Sequence, residues 1–175
     1  DLLRGRAAAS AAGGHFPLRR LAWCITALVC LMVVTGGFVA GIRAGLAYNT
    51  FPLMNGHWIP PELFMLEPWH DNFFSNMATV QFDHRLIAWA LAALAPVFWL
   101  KAQRSDAPRE VKLLAHLLLA ALAMQITLGI ATLLLAVPVA LGVAHQGGAL
   151  AVFTVALMLN HRLQTAPGLA AKPAA

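Results

Sequence analysis

The sequence predicts an all-α integral membrane protein built as a four-helix transmembrane bundle. Three observations carry this. Of the 175 residues, 60% are hydrophobic and 11% are charged, where a soluble domain carries about 25% charged residues. Four apolar runs are each long enough to supply the roughly 20 residues that a helix needs to cross a bilayer. The basic residues gather at alternate ends of those runs, where they read as topology signals. The net charge of +5 and a pI near 10.0 therefore imply no nucleic-acid partner. The partner that the composition demands is membrane lipid.

Residues 1–20 form a lead with four arginines and no apolar run. Nothing there has the apolar core of about 7–15 residues that marks a secretory signal. The first span covers 21–42. Its two cysteines, Cys24 and Cys30, sit six residues apart and point in different directions on a helix, so they act as small apolar residues and not as a disulfide. Gly37, Gly41 and Gly45 follow at four-residue spacing and predict a ridge where another helix approaches closely.

Residues 43–78 form a long connection with Trp58, Trp69 and several prolines, an ordered loop on a membrane surface. The second span covers 79–100, the third 111–136 and the fourth 139–159. Val137-Pro138 breaks the last two into a hairpin. Residues 21–163 thus make one bundle, and 164–175 a short tail.

Orientation follows from the flanks. Arg4, Arg6, Arg19 and Arg20 precede the first span. Lys101, Arg104, Arg109 and Lys112 lie at the second connection, and Arg162 and Lys172 follow the fourth span. The long loop holds only Arg43 against Glu62, Glu67 and Asp71. The positive-inside rule places both termini in the cytoplasm and the long loop outside.

The histidines are the informative polar residues. His15 and His161 fall at the cytoplasmic ends, and His57 and His70 in the outer loop, all four solvated. His116 falls near the cytoplasmic end of the third span and reads as structural. His84 and His145 differ. Each lies a few residues inside a span that starts on the outer side, roughly 8 Å below the helix start at 1.5 Å per residue. Two imidazoles on helices of the same direction share one depth. A polar group inside the membrane needs a reason. One reading is bis-histidine ligation of a heme iron held between helices. The bland reading is two separately hydrogen-bonded histidines that pack helices together. Zinc or copper lacks a cysteine or carboxylate cluster at that depth, although Asp83 is close.

The neighbours divide the same way. Arg85 is placed to pair with a heme propionate. Gln146 is placed to orient His145 or a propionate, and Gly147 with Gly148 to leave room for a flat ring. Gln81, Asp83 and Arg85 also suit a helix start as plain cap residues. Gln125 and Thr127 fit interhelical hydrogen bonding better than ligation.

The stretches GGFVAGIRAGLAYNTFPLMNGHWIPPELF, VQFDHRLIAW and QITLGIATLLLAVPVALGVAHQGGALAVFT resemble the C-terminal half of the heme A synthase family, in its proteobacterial and mitochondrial branch. The likeness runs from about Leu21 to Leu163. It implies half of an eight-helix, pseudo-symmetric protein made of two similar four-helix bundles. The family oxidises a methyl group of heme O to a formyl group, giving heme A for cytochrome c oxidase. It implies that His84 and His145 are the axial ligands of a heme b cofactor. It implies a setting in the bacterial inner membrane, or the mitochondrial inner membrane of a eukaryote.

One departure matters. The family's N-terminal bundle has an E-x-x-H-R pattern with a glutamate implicated in catalysis. Here that position is Gln81, and a glutamine is neither acid nor base near neutral pH. No catalytic residue is therefore expected in this chain, although Gln81 stays a candidate cofactor contact. The N-terminal half of the same protein, or a second copy, is the expected partner, with heme O as the substrate of the whole enzyme. The alternatives are a stand-alone di-histidine b-type cytochrome and a non-catalytic heme-handling assembly protein.

Overall fold

The computed structural model describes the backbone of residues 2–165 and the side chains of 17–165. Among the described residues the chain is all helix and loop. Helix α1 spans Leu2–Gly41, α2 Ala44–Ala47, a 3-10 turn Trp69–Asp71, α3 Asn72–Ser75, α4 Met77–Gln103, α5 Arg109–Leu134 and α6 Val139–Thr165. Four segments are long and apolar enough to cross a membrane: Pro17–Gly41, Met77–Gln103, Arg109–Leu134 and Val139–Thr165. The backbone of α1 is helical well before Leu21, because Pro17 alone interrupts the donors of a helix-favouring Ala- and Leu-rich lead. Arg4, Arg6, His15 and Lys172 lie outside the residues whose side chains are described.

The four long helices alternate in direction and form a square. Helix α1 packs on α4 and α6, and α5 packs on α4 and α6. This leaves α4 and α6 on one diagonal, running the same way, and α1 and α5 on the other. One end of the square carries the α4–α5 turn. The other carries the loop 42–76 and the α5–α6 turn.

The core belongs to the α4–α5 turn end. It is built from Leu18, Ala22, Ile25 and Val29 of α1 and Leu91, Ala95, Phe98 and Ala102 of α4. Val111, Ala115, Leu118 and Leu122 of α5 and Val152, Ala156, Leu159 and Leu163 of α6 complete it. Each helix contributes the same 4-3-4 spacing, which is the seam of a knobs-into-holes bundle. Small alanines between larger residues let the helices come close. Asn160 adds a polar tie here, donating from Nδ2 to Thr26 Oγ1 at 2.5 Å across α6 and α1.

At the loop end no residue is buried in 30–41 of α1, 82–90 of α4, 123–131 of α5 or 139–151 of α6. The side chains there are exposed or only part-buried, in place of a packed core.

The loop is tied to the head of α4. Asn76 caps α4, its Oδ1 accepting from Ala78 N at 2.9 Å and Thr79 N at 3.3 Å. Its Nδ2 donates to Glu62 O and to Asn72 Oδ1, both at 2.9 Å. The fully buried Asn72 in turn holds Leu66 and Trp69 through their backbone. Burying an amide this deeply requires such full pairing.

The α5–α6 connection is a Schellman turn. Val137 N donates to Thr132 O at 2.8 Å and Ala136 N to Leu133 O at 3.1 Å. Ala136 and Val137 both have left-handed φ, 58° and 57°, a region that costs non-glycine residues about 1–2 kcal/mol each.

Of the glycine ridge expected at 37, 41 and 45, Gly45 alone makes a close approach. Gly37 and Gly41 face open space, and Gly45 lies past the end of α1, in α2, against Val137 and Leu133. The glycine of α1 that meets another helix is Gly36. One residue is 100° of helix rotation, enough to turn Gly37 off the α4 face. Cys24 and Cys30 are free and exposed.

Candidate functional site

His84 and His145 each lie about two turns into α4 and α6, roughly 10 Å from the helix starts. Their helices face each other across the diagonal of the square. Each ring is held from the side by a helix of the other diagonal.

On α1, Thr35 Oγ1 lies 3.0 Å from His84 Nδ1 and donates to Met32 O at 3.2 Å. A hydroxyl has one hydrogen. With that hydrogen on the carbonyl, the oxygen accepts from His84 Nδ1–H, and Nε2 keeps its lone pair. Gly36 gives the ring its place, since a Cβ there would stand 3.2 Å from His84 Cε1.

On α5, Gln125 Nε2 lies 3.1 Å from His145 Nδ1 and donates to His145 O at 2.7 Å. Gly129 gives this ring its place, since a Cβ there would stand 2.7 Å from His145 Cε1. Gly148 does the same for Gln125, whose Oε1 occupies the position a Cβ would take. Among the described residues neither histidine Nε2 makes a side-chain hydrogen bond.

The other residues singled out from sequence are placed elsewhere. Arg85 spends its terminal nitrogens on the loop backbone. Nη2 donates to Tyr48 O at 2.9 Å, Thr50 O at 2.8 Å and Gln81 Oε1 at 3.2 Å. Nη1 donates to Leu53 O at 3.3 Å and Pro52 O at 3.4 Å. A propionate would have to compete with these carbonyls, so Arg85 reads as a loop clamp. Gln81 is buried and donates to Ala44 O at 3.2 Å, finishing the same clamp. Gln146 and Gly147 are exposed, and Gly147 has nothing near it. The structure does not bring these two to the histidines, because one and two residues of helix rotation turn them off the His145 face.

His116 is bound to its own end of the bundle. Its Nδ1 lies 2.9 Å from Lys112 O and 3.1 Å from Gln103 Nε2, and Trp99 meets it edge-on at 5.5 Å. His57 is exposed with its backbone paired to Met54, and His70 is exposed beside Asp71 at 3.5 Å. Thr127 bonds its own helix at Ala123 O.

A hollow of about 460 Å³ lies on the far side of α4 from His84, lined by Pro52, Met54, Trp58, Phe82, Arg85, Leu86 and Trp89. Positions 82, 85, 86 and 89 share one helix face, and His84 points the opposite way.

What the histidine pair can do follows from its donor set. Among the described residues, no group of three His, Cys, Asp or Glu side chains stands close enough to hold a metal ion. A bare ion would lack ligands. A porphyrin brings four nitrogens of its own and asks the protein for two axial ones. Two imidazoles on facing helices, with side-chain partners at Nδ1 and no partner at Nε2, fit that demand.

Thr35, Gly36 and Gly129 escaped the sequence reading. The available signals were a hydroxyl inside an apolar run and a glycine a few residues from each polar partner.

The cytochrome oxidase assembly protein family, COX15-CtaA, matches residues 2–157. The Heme A synthase of Nitrosospira multiformis is 61% identical over 164 residues, which is 94% of this chain and 46% of that protein. That of Nitrosomonas eutropha is 54% identical over 146 residues, 83% of this chain and 41% of that protein. The Heme A synthase COX15 of Homo sapiens is 43% identical over 150 residues, 86% of this chain and 37% of that protein. The chain thus spans about half or less of the length of the curated relatives it matches. No solved structure matches. With a family match over most of its length and a histidine pair set in a four-helix membrane bundle, this chain belongs to the heme A synthase family, COX15/CtaA.

Proposed function

We propose that this chain is the heme b-binding, C-terminal part of a heme A synthase. The whole enzyme oxidises the methyl group of heme O to a formyl group and so supplies heme A to cytochrome c oxidase. The observation that carries the reading is the histidine pair, with each Nδ1 fixed by a neighbouring helix and each Nε2 without a side-chain partner. The names of the relatives supply the reaction.

His84 and His145 are the axial ligands in this reading. Heme b supplies one-electron redox chemistry when bound. The residues themselves bind and orient: Thr35 and Gln125 set the ring planes, and Gly36 and Gly129 leave the rings their room. Arg85 and Gln81 hold the loop over the head of α4. Gln81 stands where the family's E-x-x-H-R pattern has its glutamate, and in this reading the methyl oxidation belongs to the other half of the protein or to a second copy, where heme O binds. The heme-binding unit is 21–163, flanked by the lead 1–20 and the tail 164–175. Both termini are cytoplasmic, in a bacterial inner membrane or, in a eukaryote, the mitochondrial inner membrane. The Gln81 clamp, which holds an amide where an acid would be needed, also suits a second reading as an electron-carrying b-type cytochrome.

The test is a reduced-minus-oxidised spectrum of the detergent-purified chain, with extraction of the bound heme. A low-spin b-type spectrum that is lost in both His84→Ala and His145→Ala is expected. A low-spin spectrum retained in both variants would refute the ligand assignment.

A further inference from the structure

The partners of the two candidate ligands imply ring protons on opposite nitrogens, and Gln125 is the reason. An imidazole that binds iron through Nε2 needs its proton on Nδ1. His84 has this arrangement. Its Nδ1–H donates to Thr35 Oγ1, which passes its own hydrogen to Met32 O. Every donor finds an acceptor and Nε2 is left with a lone pair.

His145 is set the other way. Gln125 Nε2 has two hydrogens, and its two acceptors are His145 O at 2.7 Å and His145 Nδ1 at 3.1 Å. Nδ1 then accepts, and as a neutral ring His145 holds its proton on Nε2, the atom that would face iron. Gln125 Oε1 lies on the other side, in the slot left by Gly148. Turning the carboxamide over exchanges the two ends. Oε1 then accepts from Nδ1–H, and the slot at Gly148 takes the amide nitrogen.

We propose that Gln125 is the positioning residue of His145, and that its carboxamide turns over as heme binds, releasing Nε2 for ligation. This rests on the bis-histidine reading above. His84 is the ready ligand and His145 the one that must be set. The Nε2–H bond of the ring breaks and an Nδ1–H bond forms, with solvent water taking up the one proton and delivering the other, and the amide exchanges donor for acceptor, so the charge of the site is unchanged. The turn replaces the Gln125 bond to the His145 carbonyl with an approach of two oxygens from which the side chain must draw back, so an empty site favours the form described and only ligation favours the other.

The slot explains two glycines that a purely packing role leaves unexplained. Alanine is the better helix former, yet a Cβ at Gly148 would take the place of Gln125 Oε1. A Cβ at Gly129 would press on the ring itself.

The experiment has two parts. Ring-nitrogen NMR of the heme-free chain in detergent, labelled at histidine, is expected to show His84 protonated on Nδ1 and His145 on Nε2, assigned with the His→Ala variants. Both rings protonated on Nδ1 would overturn the turn. Heme titration and redox potentiometry then compare wild type, Gln125→Met and Gly148→Ala. Methionine fills the volume without a hydrogen bond, and Gly148→Ala displaces the carboxamide while keeping it and favouring the helix. Partners of metal-bound histidines typically contribute 10–100-fold to affinity. Both variants are expected to bind heme at least about 10-fold more weakly. Their midpoints should be higher than wild type, because an Nδ1–H without an acceptor makes a less electron-donating ligand. Wild-type affinity and midpoint in a folded Gly148→Ala would overturn the proposal and leave the bis-histidine reading intact. A wild-type chain that binds no low-spin heme would overturn both.

Discussion

The two ends of the bundle are built on opposite plans. Toward the α4–α5 turn, each helix lays down four buried residues at 4-3-4 spacing, and the interior is filled. Toward the loop, at least about two and a half turns of each helix pass without a buried residue, and the interior holds two imidazoles, an amide and a hydroxyl. The filled end fixes where the helices go. The open end uses that fixed frame to hold polar groups in the bilayer that packing alone would reject. Order at the site is thus borrowed from the far end of the same four helices, and from the loop that closes over it.

The contrast can be broken most severely at the filled end. Phe98 is fully buried there, and Phe98→Ala is expected to cost about 3 kcal/mol of stability, read as a lower midpoint of unfolding in denaturing detergent. The heme spectrum of the fraction still folded should be unchanged. Gly129→Ala is expected to do the reverse. It should weaken heme binding by about 10-fold or more while leaving the unfolding midpoint within about 1 kcal/mol of wild type. Gly37→Ala, with open space around it, should move neither. A fourth change sharpens the role of the loop. Asn76→Ala removes the cap of α4 and two ties to the loop, and is expected to cost about 1 kcal/mol. Faster hydrogen exchange over 62–80, without faster exchange in the packed half, would confirm that the loss is local.

The smallest expected effect is a pH dependence of the loop. Burial, and then the hydrogen bond and negative charge of Glu62, push the Tyr48 phenol above its ordinary value of 10.0. The folded loop therefore holds the phenolic proton more tightly than the unfolded chain does. Its contribution is complete below pH 10.0 and is lost as the pH rises through the folded value. Trp58 emission is expected to hold steady to that point and then shift. A loop that loosened first on acidification would contradict this assignment.

The spans, their alternation and the matched depth of His84 and His145 were legible in the sequence, because apolar length and helix rise are one-dimensional quantities. The inside of the bundle was not. In a membrane both faces of a helix are apolar, so the 4-3-4 seam of Ile25, Phe98 or Leu159 has no contrast against its lipid-facing neighbours. The glycines failed for a related reason. Regular spacing favoured Gly37 and Gly41, while the contact falls on Gly36, and a single residue of rotation decides between them. Arg85 shows the third limit. Its charge and position suggested an anion, yet the loop folds back and presents carbonyls first. The hydrogen bond of Gln125 to His145 joins residues of two helices and was legible only as a class of interaction, not as a pair.

The Arg85 clamp has one more consequence. Its four loop partners are main-chain oxygens, of Tyr48, Thr50, Pro52 and Leu53. A main-chain oxygen is the same whichever side chain follows it. Exchanging the side chain at 53 leaves those bonds available, whereas Thr50 is held to its type by its own hydroxyl, which donates to Leu53 O and accepts from Asn55 N. Inserting or deleting a single residue there moves every carbonyl out of reach, so the segment is strict in length, and the arginine next to His84 enforces that strictness.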